Sequence, residues 1–395
     1  MDPRISKQDT SETGSAQDRP GMALAAAIAT VSLVGVGLSL TMALLAVRLA
    51  QDGYSARAIG LNPAAGGLAT LAIVAFVPNL ARRLGVQNLL FAALLTAVVS
   101  LAAFALYENY WAWLVVRGLF GIALTILFVL SEFWINMVAP PKRRGIILGL
   151  YTTSLAAGFA IGPAILALTG TAGALPFIAA IVLFLVAGVP VALVGGRAPV
   201  LERRPRTSTI SFLTIAPVAT LAALVYGAIE TAAMGLLPVF ALHSGMSAET
   251  GAILVSLFAL GNVIFPIPLG ILSDRLDRRR LLRAIATVGF LGALLLPWAE
   301  HMPFGVFASL LVVWGGVVGG LYAVGLAYLG SRFQGAELAA ANATYIMLYS
   351  IGMLIGPAFL GFWLDLAPSD LFLAIAALLA VYAGIASWRI ATAHS

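Results

Sequence analysis

Twelve stretches of this chain, each about 17 to 29 residues long and nearly free of charge, can cross a hydrocarbon core of about 30 Å as α-helix. No other feature restricts the fold as sharply. Backbone N–H and C=O groups in lipid must be bonded internally, so only helices and closed barrels can span a bilayer. The alternating ten-residue segments of a membrane barrel do not occur in the sequence, and each stretch is read as a helix. With 61% hydrophobic and 10% charged residues over 395 positions, against roughly 45 to 50% apolar residues in soluble domains, a water-soluble fold is excluded.

The expected spans are 22–47, 60–80, 86–106, 112–138, 146–169 and 174–195, then 212–240, 249–272, 281–297, 304–330, 338–361 and 370–390. The fold class is therefore all-α integral membrane, in two six-helix halves, 22–195 and 212–390. Residues 1–21 carry Asp2, Arg4, Lys7, Asp9, Glu12, Asp18 and Arg19 among small polar residues, too little apolar surface to order themselves, and are read as a disordered cytoplasmic tail. The stretch 196–211, with Arg197, Arg203, Arg204 and Arg206, reads as a cytoplasmic linker, and 391–395 as a short cytoplasmic tail.

The net charge of +6 would suggest nucleic acid in a soluble chain, but here topology accounts for it. With the N-terminus inside, the 22 lysines and arginines lie at or beyond the inner ends of spans, except Arg48 and Arg57 outside and Arg117 within a span. Positive charge is retained on the cytoplasmic side during insertion, so both termini are expected there, in a multi-pass protein of the inner membrane.

The halves repeat. Leu44-Leu45-Ala46-Val47 recurs as Leu236-Leu237-Pro238-Val239, and Gly53-Tyr54-Ser55-Ala56 as Gly245-Met246-Ser247-Ala248. Gly158-x-x-x-Gly162-Pro163 recurs as Gly352-x-x-x-Gly356-Pro357. Paired halves enclosing a site near the midplane are a transporter plan.

Between the eighth and ninth spans the chain reads Gly270-Ile-Leu-Ser-Asp274-Arg275-Leu-Asp277-Arg278-Arg279-Arg280. This resembles the Gly-x-x-x-Asp-Arg-x-Gly-Arg-Arg/Lys signature of major facilitator superfamily transporters, with Asp277 in place of the second glycine. The resemblance implies a gate of Gly270, Asp274, Arg275 and Arg278, in which the acid ties the cytoplasmic helix ends together through ion pairs and a helix terminus. In the first half Arg82 stands where the family has its acid, so the implied latch is one-sided. Gly149, Gly158, Gly162 and Pro163 resemble the fifth-helix pattern of bacterial drug/proton antiporters, although Leu166 and Ala167 replace its last glycines. Small residues at this spacing also serve plain helix packing, and the pattern only leans toward export. Arg117 followed by Gly121 is similar to the Arg-x-x-x-Gly element of the family's fourth helix. A charge at that depth costs about 2.5–3.5 kcal/mol, so Arg117 is expected to face a cavity or a partner unless it snorkels to the surface.

Two acids lie well inside spans, Glu132 in the fourth and Glu230 in the seventh. Both are expected to turn inward, either to exchange a proton or as structural hydrogen-bonding groups. Glu132 lies about 22 Å along one helix from Arg117, too far to pair with it. Tyr226, Tyr345 and Tyr349 are candidates to line an amphipathic substrate pocket, with aromatic packing as the alternative. His243, His301 and His394 lack ligand spacing, and zero cysteines exclude disulfides and thiolate-bound metal. Gly35-Val36-Gly37 and the Gly315 to Gly320 run fall inside spans, where helix packing explains them better than phosphate binding.

With no catalytic cluster, metal site, cofactor motif or ATP-binding loop in the sequence, the expectation is a non-enzymatic, monomeric transporter moving a small molecule with protons. Export by antiport leads and uptake by symport is the alternative, while an integral-membrane enzyme or receptor would need groups the sequence lacks.

Overall fold

The structure, a computed structural model, describes residues 13–54, 56–194 and 207–392. Among the described residues, twelve helices are long and apolar enough to span a membrane. They are α1 (Ala23–Leu49), α2 (Leu61–Leu84), α3 (Val86–Leu106), α4 (Tyr110–Val138), α5 (Pro141–Thr169) and α6 (Leu175–Leu193) in the first half. The second half holds α7 (Pro217–His243), α8 (Ile253–Arg275), α9 (Arg278–Ala299), α10 (Phe304–Arg332), α11 (Gly335–Leu366) and α12 (Pro368–Ala391). All twelve coincide with the apolar stretches of the sequence, with the boundaries moved by a few residues.

At the N-terminus the difference is larger, because the helix containing α1 begins at Thr13. The part of the expected tail from Thr13 on is helical, since extending an anchored helix fixes one residue for each bond gained and needs no new nucleus. The rest of that tail and most of the expected linker lie outside the described residues. The linker's last residues form a helical turn, Thr209–Ser211. This turn is stitched to both halves: the Thr209 hydroxyl donates to the Ala75 carbonyl of α2 at 3.4 Å, and the Thr344 hydroxyl of α11 donates to the Thr209 carbonyl.

The sequence repeat corresponds to repeated backbone geometry. Gly53 and Gly245, the paired positions before α2 and α8, both adopt left-handed φ, +80° and +76°. Such values strain any residue with a Cβ, so the same turn is built twice. Ser247 then caps the helix that leads into α8, which begins at Ala248, by accepting from the Thr250 N–H at 3.1 Å. Both α2 and α8 are broken near Pro78 and Pro266, where a missing N–H interrupts the helix ladder.

Within each half, small residues let backbones meet. A Cβ on Gly158 would press on the Ser32 carbonyl of α1 at 3.0 Å, and one on Gly162 on the Val36 carbonyl at 2.8 Å. In the second half Gly352 and Gly356 pack in the same way against Ala228 of α7. Gly149 behaves differently, lying against Pro266 of α8 across the boundary between halves. Pro163 and Pro357 sit inside α5 and α11, just beyond these contacts.

The halves are in contact mainly through α5 against α8 and α2 against α11. Both seams are closed toward the face that bears the termini and open toward the other. On α11, Leu338 to Ile346 are buried on every side, whereas from Met353 onward only the face carrying Gly356, Leu360 and Leu364 stays buried. On α5, Phe159, Ile161 and Leu168 of the outer length are exposed. The bundle thus encloses a cleft that opens on the face opposite the termini.

Candidate functional site

At the closed end of the cleft, Glu132 of α4 projects from the first half with no exposed surface. Its Oε1 accepts from the Tyr151 hydroxyl of α5, in the same half, at 2.8 Å. The same oxygen accepts from the Tyr322 hydroxyl of α10, in the other half, so one carboxyl oxygen joins the two halves. Its Oε2 is buried and has no hydrogen-bond partner among the described residues.

Tyr322 leads on to the second acid. Its ring lies 5.8 Å from Tyr226 and 5.3 Å from Tyr349, centroid to centroid. Glu230 of α7 accepts from the Tyr349 hydroxyl at 2.6 Å on Oε2 and from the Tyr226 hydroxyl at 2.8 Å on Oε1. Tyr226 lies close to Asn262 of α8 as well, at 3.0 Å. The two acids therefore sit at opposite ends of one tyrosine cluster, Glu132 sealed and Glu230 half-buried. Among the described residues neither belongs to an ion pair. Burying a carboxylate without a counter-ion is costly, and tyrosine hydroxyls are the donors that offset part of that cost.

Of the three tyrosines singled out in the sequence, Tyr226 and Tyr349 belong to this cluster. Tyr345 does not line a pocket in this state: it is fully buried and donates its hydroxyl to the Tyr322 carbonyl at 2.7 Å, bracing the residue that crosses between halves. Tyr151, Tyr322 and Asn262 escaped the sequence reading. The repeat spacing near 192 pairs α4 with α10, and that pairing was the available pointer to a partner for Glu132. Another cross-half bond follows one turn on, from Asn136 Nδ2 to the Leu326 carbonyl at 3.4 Å.

Arg117 is not in this cluster. It is 6% exposed, which excludes snorkelling, and its guanidinium lies 5.6 Å from the Phe120 ring and against Gly66 of α2. Its Nε and Nη1 meet no acceptor among the described residues.

The charged joint after α8 forms a second constellation, at the terminal face. Asp274 accepts from the Gly145 and Ile146 N–H groups at 2.6 and 3.0 Å, so it caps the first turn of α5 from the opposite half. Arg278 completes the arrangement, donating to Asp274 at 2.8 Å. Gly270 makes the approach possible, because a Cβ there would fall on the Gly145 carbonyl. Arg275 stands apart from this clasp and is exposed. Asp277, the departure from the signature glycine, caps α9 by accepting from the Arg280 N–H at 2.9 Å. In the first half Arg82 occupies the matching place, and its buried Nε has no partner among the described residues.

Comparison with known proteins agrees with the fold and the repeat. The sequence profile of the Major Facilitator Superfamily matches residues 27–220 and again 219–394, meeting at the start of α7. The MFS-type transporter YfkF of Bacillus subtilis is 28% identical over 341 residues, 85% of this chain and 87% of its own length. The MFS-type transporter YcaD of Escherichia coli is 22% identical over 370 residues, 92% of this chain and 94% of its own. Among solved structures, the transporter FucP in its outward conformation superposes with a TM-score of 0.78 at 18% identity, covering 93% of this chain and 98% of that one. The human organic anion transporter MFSD10 gives 0.78 at 13% identity, covering 93% and 99%.

Proposed function

The chain belongs to the Major Facilitator Superfamily, a family of membrane transporters, and we propose that it moves a small molecule across the cytoplasmic membrane by proton-coupled alternating access. The observation that carries this reading is the Glu132 carboxyl, held by Tyr151 from its own half and by Tyr322 from the other.

The coupling follows from what a proton does to such a contact. An ionised carboxyl is acceptor-only, and hydrogen bonds to it are roughly twice as strong as neutral ones. Protonation turns one oxygen into a donor and weakens the hold on Tyr322, loosening the halves where they must part. Glu230, half-buried in the same cluster, is the more accessible of the two acids. Its tyrosine donors, Tyr226 and Tyr349, form the floor on which a small amphipathic substrate would rest.

With the termini in the cytoplasm, as the inside-positive charge supports, this state faces outward. Proton entry through the outer cleft then drives export, which is the direction we favour. Uptake with protons is the alternative, since the fold neighbours include the fucose:proton symporter FucP and the proton:xylose symporter XylE.

Proteoliposomes with an imposed pH gradient test the reading, with a substrate panel applied to wild type, Glu132→Gln and Glu230→Gln. Gln keeps the size of the carboxyl and removes its titration. A coupling acid, once replaced, leaves substrate exchange intact and abolishes accumulation driven by the gradient. Normal driven accumulation in both variants would remove these acids from the coupling.

A further inference from the structure

A groove on the terminal face shares no residue with the acid–tyrosine cluster. It is a cavity of about 720 Å³ formed by the inner ends of α1, α4 and α5 from one half and α8 from the other. Its rim carries Lys142, Arg143 and Arg275, and its wall includes Leu24, Leu150 and Ile271. The acid that also borders it, Asp274, is already occupied by two backbone N–H groups and Arg278. The three bases enter no ion pair among the described residues.

Depth gives this pattern a meaning. Lys142 and Arg143 fall within the first three residues of α5, and Arg275 is the last residue of α8, so all three bases stand at headgroup level. Leu150 lies seven residues beyond Arg143, about 10 Å deeper into the hydrocarbon at 1.5 Å per residue. The groove therefore presents cations at the membrane surface and an apolar wall beneath them. A soluble anion would satisfy the bases and leave the wall bare. A zwitterionic lipid would fill the wall but bring its own cation to the rim.

We propose that this groove binds one anionic phospholipid, its phosphate among Lys142, Arg143 and Arg275 and an acyl chain along Leu24, Leu150 and Ile271.

Native mass spectrometry of the full-length protein in mild detergent tests this, titrated separately with phosphatidylglycerol, phosphatidylcholine and glycerol 3-phosphate. One phosphatidylglycerol should be retained at concentrations where phosphatidylcholine is not, and glycerol 3-phosphate should fail to displace it. The Lys142→Gln/Arg143→Gln double variant should lose about fivefold in affinity for each base removed, from roughly 1 kcal/mol per cation near an anionic surface. Equal retention of phosphatidylcholine would reduce the groove to ordinary lipid contact, and displacement by glycerol 3-phosphate would reduce it to an anion site; either overturns the proposal. So does undiminished binding by the double variant. Should that variant not purify, Leu150→Glu sets a negative charge in the apolar wall with every base in place and should also weaken retention; unchanged retention counts against the proposal.

Discussion

Replacing Asp274 by Asn should shift the protein toward the state open at the terminal face, by an amount that follows from the clasp geometry. In the closed seam the carboxylate receives two backbone N–H bonds from α5, at 2.6 and 3.0 Å, and one bond from Arg278 at 2.8 Å. Hydrogen bonds to a charged group contribute about 1.5–3 kcal/mol each, and a helix N-terminus adds up to about 2 for a partly buried anion. Asn keeps the shape and one acceptor oxygen but loses the charge and the second acceptor. Water compensates the carboxylate in the open state, so the closed state alone should lose about 2–3 kcal/mol. That is roughly a 30- to 150-fold change in the closed-to-open ratio. The chain contains no cysteine, so Pro140→Cys and Leu276→Cys, exposed positions on opposite halves beside the clasp, can be spin-labelled without removing native thiols. Pulsed electron paramagnetic resonance should show a longer-distance population growing in Asp274→Asn. A distribution unchanged within about twofold would refute the clasp as a conformational determinant.

Tyr322→Phe should remove about 1.5–3 kcal/mol of attraction between the halves when Glu132 is ionised and less when it is protonated; transport rates of variant and wild type should therefore converge as pH falls, and a constant ratio across pH would contradict the mechanism. Gly145→Ala should drive a methyl group into Ser273 and cost about 1–3 kcal/mol, read as a lower unfolding temperature, whereas Gly235→Ala, with open space around it, should be neutral or slightly stabilising. A reporter fused after Arg204 should be cytoplasmic and one at Ser244 periplasmic; both on one side would break the twelve-span map.

The sequence carried the spans because lipid allows the backbone no other solution, and the repeat because the same turns and glycine contacts are built twice. Asp274 was legible for a related reason: its spacing from Gly270 is a local geometric requirement at one helix end. The tyrosine cluster was not. Tyr322 meets Glu132 across 190 positions, and only the docking of α4 on α10 brings them together. Tyr345 and Tyr349 sit one turn apart on α11 and looked equivalent as sequence. In the packed bundle Tyr349 reaches Glu230 of α7, whereas Tyr345 reaches a backbone carbonyl of α10.

Gly145, Gly149 and Gly270 leave no room for a side chain where α5 meets α8, and this limits how such a protein can change over evolutionary time. At that contact even a methyl group is a wedge, so a lineage adapting to a new cargo gains nothing by exploring it. On the outer lengths of α5 and α11, beyond Phe159 and Met353, the faces away from Gly162 and Gly356 are exposed and leave room for larger side chains. Diversification should therefore accumulate along those outer walls and among the tyrosines below them, while the seam beneath stays small.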